Sequence, residues 1–297
     1  MRKNLKRFFH ASIAWKLVVL VFWFSGADLF GQDGQRVSVE VNYLGGELET
    51  RFDYPKSNPP FSSGKRYDSD GLQIGAVVRI SDRVAIGGRW EESFLRRTRF
   101  SHEGRFDTRI DPDTNIVGTD SRYQEVYASV ALPKTGRHRL IAGVARTEHA
   151  QEWEFMIFPS PPPSVGSTPP PPPPFRINSR EKATDVGPMV GIEGGKSAGR
   201  LGLNWSGRYY PRMARSDHYS SVVEMGNPGE PVNSKWSSAS QGFELRGAAS
   251  YSLSRNLAIQ GGYQYRRLDE PDQFGGSWPV NETGTQKSFI GGIKFTF

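Results

Sequence analysis

The 297-residue chain contains no cysteine, and it has no apolar run of the length that crosses a membrane as a helix. The absence of cysteine excludes disulfide bonds, thiolate metal ligands and cysteine nucleophiles. The most apolar stretch, residues 14–24, is interrupted by Lys16, whereas a membrane-spanning helix needs about 20 apolar residues. The mean hydropathy is −0.56, and no long buried helix pattern appears. The chain must therefore be stabilised by something other than disulfide bonds or long apolar helices.

The N-terminal region has the features of a secretory signal. Four basic side chains in residues 1–7 precede the apolar stretch, and Ser25, Gly26 and Ala27 offer a cleavage site of small residues. We expect residues 1–27 to be removed; an uncleaved membrane anchor is the alternative. The signal holds five of the 38 Lys and Arg and none of the 31 Asp and Glu, which leaves 33 − 31 = +2 for the mature chain. This small charge is no indication of nucleic-acid binding.

The last residues of the chain form an alternating pattern. Every second residue from Phe289 to Phe297 is Phe, Ile or Gly, and the residues between them are mostly polar. Successive side chains of a strand point to opposite faces, so the pattern predicts a strand with one apolar face. The aromatic end at Phe297 resembles the closing strand of bacterial outer-membrane β-barrels, which the outer-membrane insertion machinery recognises.

Ten segments of this alternating kind follow the signal, at residues 36–44, 72–80, 83–92, 123–132, 139–147, 184–193, 201–210, 242–253, 257–266 and at the chain end. Short connections alternate with long ones, at about 46–71, 93–122, 148–183, 211–241 and 267–286. This asymmetry is typical of outer-membrane barrels. The sequence predicts an all-β fold: a closed antiparallel ten-stranded transmembrane β-barrel over residues 28–297, with short periplasmic turns and long extracellular loops. A soluble β-sandwich, the alternative, does not explain the alternation.

The faces opposite the apolar ones predict a polar lumen. They carry Glu40, Asn42, Gln73, Arg79, Arg89, Asn204, Arg208, Glu244, Arg246, Gln260, Gln264 and Lys294. Side chains fill the interior of a barrel of this size, which weighs against a wide porin. The connection at 148–183 contains ten of the 21 prolines. Such a run favours polyproline II and indicates either a stiff exposed loop tip or a docking segment for a partner.

Several loop residues resemble a known family. Trp205, Ser206 and Gly207 precede His218 by a short interval, Asp111 and Asp113 have Asp-x-Asp spacing in the second long loop, and Glu49 lies in the first. With ten strands and the closing strand, these features resemble the omptins, outer-membrane endopeptidases that cut next to basic residues.

The resemblance implies that Asp111, Asp113, Asp217 and His218 are catalytic around a nucleophilic water, with Glu49 in support. One departure is that Asp217 and His218 are adjacent, where the family places them one residue apart. Ordinary exposed loop residues are the alternative for these positions. His218 and Ser220 also resemble the His-x-Ser motif of lipid A deacylases. That family, however, has the motif closer to its C-terminus than it is in this chain.

Three arginines above the third predicted strand, Arg96, Arg97 and Arg99, have the chemistry for phosphate groups. We predict that they bind lipopolysaccharide; a solvated basic loop is the alternative. No ligand spacing predicts a metal site, and no motif predicts a cofactor or a nucleic-acid partner.

The predicted function is thus a Gram-negative-type outer-membrane barrel with surface-exposed loops on an omptin-like scaffold. The alternatives are an omptin-type endopeptidase with a basic peptide substrate and a narrow channel.

Overall fold

The computed structural model describes residues 37–54, 61–103, 115–133, 138–157, 175–225, 227–228, 232–270 and 281–297. The strands are β1 (Val37–Tyr54), β2 (Phe61–Arg79), β3 (Val84–Glu103), β4 (Asn115–Ala131), β5 (His138–Ile157), β6 (Phe175–Ala198), β7 (Leu201–Met225), β8 (Asn227–Pro228), β9 (Val232–Ser252), β10 (Leu257–Glu270) and β11 (Asn281–Thr296). Within these ranges, no helix has the length and apolarity to span a membrane.

The strands close into a barrel. Each long strand pairs antiparallel with the next long strand along the chain, β6 pairs with β7, and β11 returns to pair with β1. The two-residue β8 only extends the end of β7. The structure therefore confirms the predicted closed antiparallel barrel of ten strands. Toward the loop end, the described pairing of β3 with β4 stops at Phe94 and Asp120.

The barrel has two unlike ends. At one end, which we call the turn end, β6 and β7 are joined by the tight turn at Gly199, whose φ is 59° and suits a residue without a Cβ. Val37 and Phe297 also meet there through backbone hydrogen bonds of 3.2 and 2.8 Å. At the opposite end, the loop end, the long connections lie outside the described residues. Their Pro-rich member, at about 148–183, is described only where β5 and β6 enter it.

The strands are longer than the sequence predicts. β7 has 25 residues and β6 has 24, against the 9–11 that a tilted strand needs to cross a bilayer. Much of each predicted long loop is a continuation of the hairpin toward the loop end. The sequence could not show this because polar residues on both faces of these extensions carry no alternating signal.

Side chains follow the predicted alternation. The outer face carries exposed apolar residues in a belt, among them Val126, Val130, Leu140, Val144, Leu201, Leu203, Tyr209, Phe243, Leu245, Tyr251, Ile259, Tyr263 and Phe289. The inner face is polar and buried, with only a small apolar cluster around Tyr127, Ile141 and Met189. An apolar outside and a polar inside invert the arrangement of a soluble domain and are typical of transmembrane barrels.

β7 contains a bulge at Pro211 and Arg212. Tyr210 pairs with one residue of β9 and Met213 with the residue two positions away from it, so three steps along β7 match two along β9. The register with β6 shifts at the same place. Proline has no N–H for the ladder and is tolerated at bulges. One extra residue exchanges the inner and outer faces of everything that follows.

Candidate functional site

A network of three arginines and three glutamates closes the waist of the barrel; we call it the plug. Glu244, fully buried, accepts from Arg266 at 2.6 Å and from Arg89 at 2.8 Å. Arg208 contacts Glu125 at 2.9 Å, and Arg266 contacts Glu91 at 2.9 Å. The six charges balance, which is the condition under which buried charges are tolerated.

Neutral side chains complete the plug. Arg266 lies over the ring of Tyr123, 3.6 Å from its centre, and amides extend the network sideways. Gln73 donates to Glu91 at 2.7 Å, Gln260 donates to Asn42 at 2.7 Å, and Asn42 donates to Gln73 at 2.9 Å. These groups come from strands all around the barrel, so the plug fills the cross-section of the lumen as the sequence predicts.

The candidate site lies on the loop-end side of the plug, where four carboxylates surround one guanidinium; we call it the acidic pocket. Arg215 contacts Glu270 at 2.8 Å and both Asp217 and Glu282 at 2.9 Å. Asp185, opposite Arg215 in the β6–β7 register, accepts from Ser240 at 2.6 Å and from Thr147 at 3.0 Å. All of these groups except Asp217 border a cavity of about 90 Å³, which Glu148, Glu181 and Arg266 also border. Among the described residues, Arg215 is the cation that contacts these carboxylates, and Arg266 of the plug also borders the cavity. The surplus of carboxylates gives the described lining an acidic character, which suits a cationic group.

Two of these carboxylates have raised pKa values. Glu270 and Glu282 face each other at the end of the β10–β11 hairpin, seven residues beyond the last exposed belt aromatics of their strands, Tyr263 and Phe289. They lie about 23 Å along the strand from the belt. Burial raises the pKa of each to about 7, and Arg215 offsets only part of that effect. Near neutral pH, each carboxyl therefore exchanges a proton readily, and a bound cation would favour its ionised form.

The bulge decides which predicted residue enters the pocket. Without it, unbroken alternation from the inward-facing Arg208 would place His218 inside. With it, Arg215 and Asp217 face the lumen, and Asp217 is fully buried. His218 consequently lies on the outer face, beside Lys182 of β6 and Lys235 of β9 in the register. The structure thus separates Asp217 and His218 onto opposite faces of β7.

Glu49 also lies outside the pocket. It faces outward on β1 and contacts Arg66 of β2 at 3.5 Å, with both side chains exposed. Asp111 and Asp113 fall outside the described residues. The structure therefore does not bring Asp217, His218 and Glu49 together, and their catalytic assignment stays a prediction.

Arg96, Arg97 and Arg99 lie on β3, which extends to Glu103. Arg97 pairs with Asp68 and Arg99 with Arg66 of β2, and a one-residue register shift falls beside them, between Asp68 and Ser69. The structure does not describe the side chains of these three arginines, so their role in lipid binding stays a prediction. Among the described residues, no group of three His, Asp or Glu is arranged to hold a metal ion.

Sequence reasoning missed Arg215, Glu270 and Glu282 as site residues. The signal for Arg215 is its spacing of two from Asp217, which puts both on one face of a strand. Glu270 and Glu282 fell within the predicted loop at 267–286 and gave no such signal. Only the extension of β10 and β11 into that loop makes them cross-strand neighbours.

The closed ten-stranded ladder, the apolar belt and the charged lumen define a β-barrel of the outer-membrane type. Its fold is similar to that of the outer membrane protease OmpT from Escherichia coli, with a TM-score of 0.51 and 11% identity over 92% of this chain and 99% of OmpT. This likeness shows a shared fold and confirms the omptin-like architecture. Neither a family model nor a curated protein matches the chain.

Two other barrels match with lower scores. The toluene transporter TodX of P. putida has a TM-score of 0.36 and 11% identity over 90% of this chain and 91% of its own. The translocator domain of the autotransporter NalP from Neisseria meningitidis has a TM-score of 0.36 and 12% identity over 97% of this chain and 96% of its own.

Proposed function

We propose that the protein is an integral outer-membrane barrel with its loop end outside the cell, and that the acidic pocket binds a cationic side chain of an external peptide. The observation that carries this proposal is a group of four buried or half-buried carboxylates, three of which contact the guanidinium of Arg215, while the fourth, Asp185, lies opposite it in the register. Arg215 itself shows that the pocket satisfies a guanidinium from three sides. The short turns at the opposite end support the orientation, because periplasmic turns are the short ones in such barrels.

The size of the pocket limits what enters it. A cavity of about 90 Å³ admits the end of one Lys or Arg side chain but not a folded chain. Charge-assisted hydrogen bonds to carboxylates are stronger than neutral ones, so a basic side chain gains most from this position. The ligand class is therefore a flexible peptide or polyamine with an accessible basic group.

The test is binding of a fluorescent peptide containing two adjacent arginines to the refolded mature chain. We expect saturable binding that weakens about tenfold in Glu282→Gln, since one charge-assisted contact is lost. Glu47→Gln is the matched control, because Glu47 faces outward on β1 beside Arg66 and does not border the cavity. Equal affinity of the three proteins, or no binding, would refute the proposal.

Endopeptidase activity is a second candidate function, supported by the omptin-like fold and by the chemistry of an acidic pocket for basic residues. A histidine base and a carboxylate that orients it would need to face the same substrate, whereas His218 and Asp217 face opposite sides of β7. Cleavage of the same peptide in the presence of lipopolysaccharide, abolished by His218→Ala, would establish the activity. Binding without cleavage would leave the pocket as a recognition site.

Lipopolysaccharide is the lipid partner that the outer face favours. Lys182, His218 and Lys235 stand side by side across three strands beyond the apolar belt. Their height and charge suit the phosphate groups of this lipid. A Lys182→Gln/Lys235→Gln variant is expected to lose affinity for lipopolysaccharide in mixed micelles, and unchanged affinity would contradict this assignment. Recognition of the last strand by the insertion machinery stays a prediction.

The narrow channel is the third candidate, and the plug argues against it. Charged and amide side chains from strands around the barrel meet at the waist. We expect the protein to conduct little in planar bilayers. A stable ohmic conductance of porin size would overturn this expectation.

A further inference from the structure

A second and larger cavity lies on the turn-end side of the plug. It has a volume of about 500 Å³ and reaches from Arg89 and Arg208 of the plug down to Ser38 and Thr296 at the rim. A neighbouring space of about 300 Å³ shares Lys294 and Thr296 with it and continues to the turns. We call the larger space the turn-end cavity. Its volume is in the range of small-molecule sites, about 300–1,000 Å³.

The lining of the turn-end cavity is basic. Six cationic side chains border it, against three carboxylates: Arg79, Arg89, Arg139, Arg208, Arg246 and Lys294 against Glu40, Glu125 and Glu193. The carboxylates are already engaged. Glu40 contacts Arg246 at 2.9 Å and Lys294 at 3.5 Å, and Glu193 contacts Arg139 at 3.6 Å. Without the plug residues Arg89, Arg208 and Glu125, whose charges are balanced within the plug, four cations face two carboxylates, and this excess of positive charge remains available to a ligand.

Arg79 stands apart among these cations. It lines the cavity with an exposed side chain and forms no ion pair with any residue that the structure describes. A guanidinium presents five N–H donors in a planar fork, a geometry that suits phosphate and carboxylate groups. Arg79 is therefore a donor near the rim that an entering anion meets first.

Unsatisfied donors lie at the inner end of the cavity. Nη1 of Arg89 and Nε of Arg208 are buried and lack a hydrogen-bond acceptor among the described residues. Both side chains are more than nine-tenths buried and border the cavity. Their remaining nitrogens are held by the plug glutamates, so the guanidinium groups cannot turn away. Buried donors are rarely left without an acceptor, and an oxyanion would supply one.

We propose that the turn-end cavity is a binding site for a small dissolved anion that carries phosphate or carboxylate groups. Arg89 and Arg208 form its floor, and Arg79, Arg246 and Lys294 form its wall. The site is separate from the acidic pocket, because the plug lies between the two. With the orientation proposed above, the anion enters from the periplasm, and the binding itself does not depend on that orientation.

The test is calorimetric titration of the refolded mature chain, in an uncharged detergent and Tris chloride, with inorganic phosphate and separately with citrate. We expect saturable binding of at least one, and the tighter of the two identifies the preferred anion chemistry. Because Arg79 and Arg246 each supply charge-assisted hydrogen bonds, Arg79→Gln and Arg246→Gln should each weaken the binding about tenfold.

Arg83→Gln is the matched control. Arg83 lies in the exposed turn between β2 and β3, at the same end of the barrel, and its side chain does not border the cavity. Loss of the same unit of charge there should leave the affinity unchanged. Arg79→Gln removes no ion pair within the described structure, so its folding, checked by heat-dependent electrophoretic mobility, should match the wild type. No saturable binding of either anion, or equal affinity in Arg79→Gln and Arg83→Gln, would overturn the proposal.

Discussion

The two halves of the lumen are built on the same ten-stranded ladder, yet they carry opposite charge. On the loop-end side, three carboxylates contact Arg215 and a fourth, Asp185, lies opposite it in the register. On the turn-end side, apart from the plug residues, four cations face two carboxylates. The plug between them is balanced, with three charges of each sign. The barrel fold therefore does not determine the charge of the ligand. The inward side chains at each level of the lumen determine the local electrostatic potential.

The charge of the buried side chains also changes along the single strand β10. Its buried residues, read from the turn end to the loop end, are Gln260, Gln264, Arg266 and Glu270. Amides come first, then the arginine of the plug, then the carboxylate of the acidic pocket. A strand with a regular backbone thus passes through three electrostatic environments, so a ligand at one end is not a ligand at the other.

The two halves of the lumen are separated by the plug. Glu244→Gln should disrupt the plug and have the largest effect on stability. Glu244 is fully buried and contacts Arg89, Arg208 and Arg266. Its neutralisation leaves three arginines with two carboxylates, which should lower the free energy of unfolding by about 3–5 kcal/mol. Urea unfolding of the protein in lipid vesicles measures this.

Glu47→Gln provides the control for that experiment. Glu47 is a partly exposed outward carboxylate that lies 4.0 Å from Arg66, and such changes stay within about 0.5 kcal/mol. Similar losses in the two variants would show that the buried network is not what stabilises the waist.

Arg215→Gln should have the next largest effect. It leaves Asp217, Glu270 and Glu282 facing one another without their cation, and the free energy of unfolding at pH 8 should fall by about 2–4 kcal/mol. The deficit should shrink at pH 5, because protonation relieves the repulsion. Arg212→Gln, an exposed change on the same strand, serves as control; a deficit independent of pH would contradict the electrostatic explanation.

The wild-type protein should itself depend on pH through the acidic pocket. The pKa of Glu270 and of Glu282 rises from 4.5 to about 7 on folding. The folded state therefore retains protons that the unfolded chain has released. This stabilisation is complete below pH 4.5 and is lost as the pH rises through 7. We expect the free energy of unfolding to fall by about 1–3 kcal/mol between pH 5 and pH 8.

A Glu270→Gln/Glu282→Gln variant isolates this contribution. Glutamine resembles the protonated carboxyl, so the variant should lose most of the dependence and equal or exceed the wild type at pH 8. An unchanged slope between the same pH values would assign the dependence to other groups.

Glu49→Gln should have the smallest effect and sharpens the contrast between inside and outside. Glu49 and Arg66 form an exposed pair at 3.5 Å on the outer face, and such pairs contribute about 0–1 kcal/mol. Stability, measured by the same unfolding experiment, and binding of the arginine peptide should both remain near the wild-type values. A large loss of peptide binding would show that Glu49 reaches the pocket after all.

Much of the barrel could be predicted because its wall repeats every two residues. The alternation identified the strands that cross the belt and most of the lumen, including Asn42, Gln73, Glu244 and Gln264, all of which are buried. The direction of the side chains, inward or outward, repeats at every second residue of a strand. The pattern is therefore detectable even where a single residue is ambiguous.

The acidic pocket could not be predicted in the same way, because it depends on two local departures from regularity. The bulge at Pro211 and Arg212 exchanges the faces of Asp217 and His218. A bulge is defined by the number of residues that the partner strand places opposite it, so it cannot be deduced from the sequence of β7 alone. Glu270 and Glu282 meet only because the β10–β11 hairpin continues far beyond the belt. Both facts lie in the register between strands rather than in any one strand.

The plug also bears on how the barrel folds. Arg89 and Glu244 are 155 residues apart in the chain, Arg266 and Glu91 are 175 apart, and Gln260 and Asn42 are 218 apart. The first two contacts join β3 to β9 and β3 to β10, which lie far apart in the order of the sheet, so they form only when the barrel closes. A half-closed sheet would hold uncompensated charge in its concave side, which disfavours partly assembled forms. Such high contact order slows closure, and the same contacts make the completed barrel open as a single cooperative unit.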